Sequence, residues 1–392
     1  MGRTGGGGAS ADAMTDAGKA IRDGSAPGRA AWTQEQMLTA SDEDFGWDIS
    51  ISGDTAVIGA DGSVYVFVRS GEVWTEQQKL TAGSEADREY LGSSVSISGD
   101  TAVIGTLADP AGGSGPGSAY VFVRRGTTWI EEQKLTASDV AQGDWFGRSV
   151  SISGDTAIVG TTYETYAGGS GPGSAYVFFR SGGVWTQEQK LTASDGAADD
   201  WFGSPVSISG DTAIIGAWGD DDNGDRSGSA YVFVRSGTTW TEAHKLTARN
   251  GKASDWFGRS VSISGDTAII AAAGADSGSA HVFVRSGTTW THEQTLTASD
   301  GVGGEVFGDS VCILGDTAIV GAYYADAGRG AAYVFTRGGT TWTQEQKLSP
   351  SDETVGFGTA VAILGDTAII GTAYDDTDGG SGPGSAYVFK SR

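Results

Sequence analysis

The residues best suited to chemistry fall in one short stretch, Asp220-Asp221-Asp222-Asn223-Gly224-Asp225. Asp221, Asn223 and Asp225 place oxygen donors at alternate positions, and Gly224 permits a sharp bend between them. Hard oxygen donors at that spacing suit Ca2+, which makes these three the candidate metal ligands. Asp376-Thr377-Asp378-Gly379 is a shorter echo. No bidentate Glu follows at the helix-loop-helix distance, so a solvated acidic loop is the plainer alternative. Trp218, Asp220 and Asp222 in the same stretch are candidate ligand-binding residues, with Tyr163, Tyr323 and Tyr374 in comparable stretches elsewhere. Aromatic rings beside carboxylates suit sugar stacking or a cationic partner, although scattered surface Tyr is also ordinary.

Catalytic patterns are weak. His244, His281 and His292 occupy positions filled in other repeats by Gln, Tyr and Glu or Gln, and no pair has metal-ligand spacing. No strained Gly-x-Ser-x-Gly elbow opens a helix. Carboxylate pairs for general acid and base work are so many that none stands out. The Ser-Gly-Pro-Gly segments at 114–117, 170–173 and 381–384 lack the Lys-Ser/Thr and helix of a phosphate loop. The expectation is a non-enzymatic chain with no catalytic residue assigned.

Charge narrows the partners. The 392 residues carry 25 Lys+Arg against 49 Asp+Glu, a formal charge of −24, and 34 of the acids are Asp. Nucleic acid and anionic membrane surfaces need clustered cations that this composition lacks. No apolar run reaches the roughly 18 residues of a spanning helix. The single cysteine, Cys312, sits in the apolar run Val311-Cys312-Ile313-Leu314, which points to packing and excludes an internal disulfide framework.

The elements that must position these residues come from a repeat. Its opening dipeptide is Phe45-Gly46, Leu91-Gly92, Phe146-Gly147, Phe202-Gly203, Phe257-Gly258, Phe307-Gly308 and Phe357-Gly358, at spacings of 46, 55, 56, 55, 50 and 50 residues. A strand such as SVSIS follows, then a Gly-Asp turn, a short apolar strand such as TAIIGA, a variable loop, AYVFVR, a second turn and a polar strand opening on Trp. Four strands in each of seven units predict an all-β, seven-bladed β-propeller of antiparallel blades. The seventh unit ends with three strands, and residues 32–40 match the missing fourth, so the N-terminal strand should complete the last blade. Residues 1–31 form a Gly/Ala-rich flexible tail, and 32–392 the propeller. That tail shows no apolar stretch of a secretory signal, so export by that route is absent or the numbering begins after a removed segment. The Gly-Asp pairs are expected to be tight turns, and the recurrent Lys79, Lys134, Lys190, Lys245 and Lys347 to protect outer edges.

The Phe-Gly start, the SVSIS strand and the IIGA or VIGA segment resemble the FG-GAP repeat, which builds the seven-bladed propeller of integrin α subunits. The wording from Lys190 onward is closer still to microbial FG-GAP proteins of surface and secreted type. The resemblance covers residues 32–392. Integrin repeats carry an Asp-x-Asp-x-Asp-Gly calcium loop between the first two strands; here that place holds a short Ser-Gly-Asp-Thr or Leu-Gly-Asp-Thr turn, so those sites do not carry over. The resemblance implies a binding or adhesion module, secreted or on the cell surface. Its variable acidic 2–3 and 4–1 loops would meet a protein or glycan, with Ca2+ as a potential aid and the chain a monomer. The alternatives are a polysaccharide hydrolase or lyase using loop carboxylates, and a structural surface-layer subunit.

Overall fold

A computed structural model of the chain describes residues 31–82, 90–107, 116–162, 165–166, 169–274, 277–374 and 383–392. Seven four-stranded antiparallel sheets stand in a ring. Blade 1 runs outward through Ile49–Ser52, Thr55–Ala60, Ser63–Ser70 and Val73–Leu80. The innermost strands of blades 2 to 7 are Tyr90–Ser98, Ser149–Ser153, Val206–Ser209, Phe257–Ser264, Val311–Leu314 and Val355–Leu364. The expected closure is present. Trp32–Leu38 is the outer strand of blade 7 and pairs antiparallel with Ser385–Ser391, from Trp32 opposite Ser391 to Leu38 opposite Ala386. Among the described residues no helix is long and apolar enough to cross a membrane.

The core lies between blades. Among the described residues seven apolar clusters form, each joining two neighbours; one unites Val57, Val64 and Val66 of blade 1 with Val95, Ile97 and Ile104 of blade 2. The glycines of the repeat set how closely blades approach. A Cβ on Gly59 would strike the Gly92 carbonyl of the next blade, and Gly92 itself has φ +101°.

The alternation in SVSIS has two uses. Its Val and Ile face the preceding blade's core. Its serines face the next blade and accept N–H groups from that blade's innermost strand, which has no strand beyond it to bond. Ser50 and Ser52 accept from Ile97 and Gly99 at 3.1 and 3.0 Å, and Ser94, Ser96 and Ser98 from Val150, Ile152 and Gly154. The series continues through Ser149, Ser151 and Ser153, then Ser207 and Ser209, then Ser260, Ser262 and Ser264. Along the buried part of the strand, each staple satisfies a donor that would otherwise be stranded. Cys312 holds the serine position in blade 6, half-buried, and takes the Ile363 N–H; burial pushes its thiol pKa up. Blade 7 carries Ala360, Ala362 and Leu364 there instead, and the two alanines join the apolar cluster with Ile49 of blade 1.

The face of the 1–2 and 3–4 turns is uniform. Gly53 takes φ +58° in its turn, as expected. Its neighbour Asp54 does more than shape that turn: it pairs with Arg69, whose other nitrogen reaches Thr367 of blade 7 at 2.9 Å. The same Asp–Arg–Thr bridge recurs from Arg124, Arg180, Arg235, Arg285 and Arg337. That face is therefore a set of interblade ties with little variation to recognise anything.

Candidate functional site

On the opposite face the 4–1 links and 2–3 loops come together. The lysine row, expected to shield outer edges, is folded inward over this face as a latch. Lys79, Lys190, Lys245 and Lys347 each lie over the ring of the cross-strand tyrosine, Tyr65, Tyr176, Tyr231 and Tyr333, at 5.2 to 5.5 Å. Each also pairs with the Asp of the incoming link: Asp42, Asp139, Asp195 and Asp300. Since that link leaves the preceding blade, the latch ties two blades together.

The acidic stretch found in the sequence is built onto this latch in blade 4. Lys245 Nζ lies 2.8, 2.7 and 2.6 Å from carboxylate oxygens of Asp195, Asp220 and Asp222. The Tyr231 hydroxyl donates to Asp195 at 2.8 Å and to Asp220 at 3.0 Å. Burial alone would lower the Lys245 pKa, but Asp195, Asp220 and Asp222 together hold it well above the usual ammonium range. Asp220 is buried, whereas Asp221, Asp222, Asn223 and Asp225 are exposed. Asp221 also lies near Asp200, whose carboxyl is pushed up to about 6 by burial, with Asp220 and Asp221 adding to it. Among the described residues no group of three or more His, Cys, Asp or Glu side chains is arranged to hold a metal ion.

Trp218 has a different neighbourhood from its acidic companions. It meets Trp201 at 4.0 Å and Trp256 at 6.0 Å between ring centroids, with the Arg259 guanidinium 5.0 Å above it and Arg226 over Trp201. Tyr323 is half-buried and packs edge-on against exposed Tyr324 at 4.9 Å. Tyr163 lies outside the described residues, as do Asp376 and Asp378. Tyr374 ends the second strand of blade 7, and its side chain is likewise outside them. The predicted ligand-binding residues thus fall into separate places, with Trp218 at the centre of the disc and Tyr323 over blade 6.

Trp218 lines the mouth of the central channel, a cavity of about 380 Å³. The residue after each opening Phe-Gly, or Leu-Gly in blade 2, also lines it: Trp47, Ser93, Arg148, Ser204, Arg259, Asp309 and Thr359. Sequence reasoning missed this ring, yet a signal existed. Inside an otherwise uniform repeat, one position holds five residue types in seven copies. The charges there are balanced. Arg259 pairs with Asp309 at 3.7 Å, and Arg148 acts on both Asp309 and Asp48. Burial pushes Asp48 up to about 6, although it accepts the backbone N–H groups of Val95 and Ile49 at 2.7 and 2.8 Å. It stands at a serine-staple position and performs the staple's task.

A sequence profile described as the FG-GAP repeat matches residues 32–71, 74–122, 129–178, 185–233, 240–283, 290–335 and 342–389. The chain belongs to the FG-GAP repeat family. Each matched segment starts on one blade's outer strand and ends at or just past the third strand of the next, so every FG-GAP unit spans two blades. No curated protein matches the chain. Among solved structures, a chain of the crystal structure of the mitotic checkpoint complex is similar, with a TM-score of 0.59 and 12% identity over 92% of this chain and 96% of that one. At that identity the likeness is one of fold alone.

Two of the three histidines of this FG-GAP propeller, His281 and His292, meet in blade 5 beside the link from blade 4. His281 is 7% exposed and bonded on both ring nitrogens, to Ser279 at 3.1 Å and Thr295 at 3.2 Å. His292 stacks 5.6 Å away, with Arg249, Lys252 and Asp255 on the facing 4–1 link. Burial, helped by His292, brings the His281 pKa down to about 4 from its ordinary 6.5. The unfolded chain therefore takes a proton that the folded one refuses, and stability is lost as pH falls from 6.5 toward 4. Asp48 and Asp200 act in the opposite sense, gaining stability as pH falls through 6, but they are common to any His281 variant. Relative to His281→Tyr, the wild type should lose about 2–3 kcal/mol between pH 7.5 and 4.5 in urea unfolding. An unchanged difference between the two proteins would place the imidazole in water.

Proposed function

We propose that this FG-GAP propeller is a non-enzymatic binding module of a secreted or surface-borne protein, and that it receives a glycan at the mouth of its central channel. The observation that carries this reading is the ring of Trp47, Arg148, Arg259 and Asp309 with Trp218 beside it. A hydroxyl-rich ligand needs donors, acceptors and flat apolar faces held rigidly together, and this wall offers all three without a net charge preference. The carboxylates near the channel are engaged in holding strands or Arg259, which favours recognition over acid-base chemistry. The acidic 2–3 loops then form the rim, where they bias which partners approach.

The same reading assigns the counter-charge of the acidic loop to Lys245. With that ammonium amid Asp195, Asp220 and Asp222, the melting temperature should be the same in chelator and in millimolar Ca2+. A rise of several degrees with Ca2+ would give Asp221, Asn223 and Asp225 a metal to hold.

A glycan array followed by titration of the best binder tests the site. Trp218→Ala and Arg148→Ala should each weaken binding about tenfold or more, with little change for Asp225→Ala on the rim. Retained affinity in both channel variants would move the site elsewhere. Binding to proteins alone would make the partner a polypeptide.

A further inference from the structure

Blade 7 lacks the lysine of the interblade latch, with Met37 opposite Tyr387, but in blade 5 all three members change. Where blade 4 has Asp195, Tyr231 and Lys245, blade 5 has Asn250, His281 and Thr295. The outer clamp of the same boundary changes too. In other blades a glutamine such as Gln189 bonds both backbone groups of the next blade's Trp, at 2.7 and 2.8 Å to Trp240. At the boundary of blades 4 and 5 that position is His244, which instead contacts the Thr288 carbonyl at 2.5 Å.

Shorter side chains leave room. A cavity of about 670 Å³ opens where the lysine and its aspartate would lie, walled by Arg249, Asn250, Lys252, Asp255, His281 and His292 among others. That volume fits a small organic ligand. The chemistry of the wall is unusual for a chain with a charge of −24. Exchange of Asp for Asn250 removes the negative charge that the latch places here in other blades. Arg249 makes no ion pair among the described residues, in contrast with Arg69, Arg124, Arg180, Arg235, Arg285 and Arg337. Burial lowers the pKa of His292, and the Arg249 guanidinium stands close enough to add to that shift. Asp255, the carboxylate among the lining residues, is turned to accept the Lys252 backbone N–H at 2.9 Å.

We propose that this blade-5 cavity is a second binding site, separate from the channel, for a small sugar-sized ligand carrying a compact oxyanion. Arg249 takes the oxyanion through its planar fork. The Asn250 amide and the Nδ1 of His292, whose Nε2 is bonded to Thr295 at 3.0 Å, meet the remaining polar groups of the ligand. His281, locked between Ser279 and Thr295, forms the floor.

Calorimetric titration of the intact chain with glucuronate, glucose 6-phosphate and neutral glucose tests this, the first two separating a carboxylate from a phosphate. At least one anionic sugar should bind about tenfold or more tightly than glucose, and Arg249→Ala should abolish the preference. A variant carrying Asn250→Asp, His281→Tyr and Thr295→Lys rebuilds the latch of the other blades. It should fill the cavity, keep or raise the melting temperature, and lose anionic-sugar binding. Equal binding of all three sugars, or full binding by the latch-restored variant at an undiminished melting temperature, would overturn the proposal. Channel variants such as Trp218→Ala should leave this binding unchanged, which separates its failure from that of the channel reading.

Discussion

The innermost strand of every blade presents a row of N–H groups toward a channel, with no further strand to accept them. A buried donor left unmet costs about 1–3 kcal/mol, and a ring of seven such edges would be open to slippage or water. In most blades serines from the preceding blade meet this demand; in blade 3, Ser94, Ser96 and Ser98 each take one N–H along the strand. The spacing of SVSIS thus sets how far apart neighbouring blades stand, how wide the channel is and where the residue after each Phe-Gly points. The lysine latch on one face and the Asp–Arg–Thr bridge on the other repeat the arrangement farther out.

One boundary is made differently. Between blades 7 and 1, alanines replace the inner serines and pack against Ile49. Closure there rests on apolar contact and on the outer strand Trp32–Leu38, whose pairing joins the two ends of the chain in one sheet. A ring closed at its rim by strand pairing and held at its hub by staples has little freedom to twist. That rigidity would give the proposed ligand a fixed surface at the channel mouth.

Architecture was legible in the sequence because repetition multiplies a weak strand signal by seven, and because the absent fourth strand of the last unit had its match at residues 32–40. Side-chain partnerships were harder to see. Lys245 and Asp195 are cross-blade neighbours about fifty residues apart, so the acidic loop looked like a free cluster when a lysine already sat within it. The channel ring is hard to read from sequence because Arg148 and Arg259 are single variable positions inside a constant strand, whereas the loops vary over many residues. His281 and Thr295 stand in the sequence where the other repeats carry mostly Tyr and Lys. Only the fold shows that they face each other, with Asn250 belonging to the same latch. In a chain of near-identical units, function is to be sought where several partners of one constant interaction change together.

Hydrogen exchange at equivalent amides of the innermost strands tests the central constraint most directly, because the protein contains its own control. Ile97, Ile152, Ile208, Ile263 and Ile313 each donate to a serine of the preceding blade. Ile51, at the same position in blade 1, faces Ala362 and has no such acceptor among the described residues. The account predicts that the Ile51 amide exchanges at least about tenfold faster than the other five under native conditions. Equal protection at all six would contradict it, and would mean that strand pairing within each blade, with no help from the serines, holds the hub together.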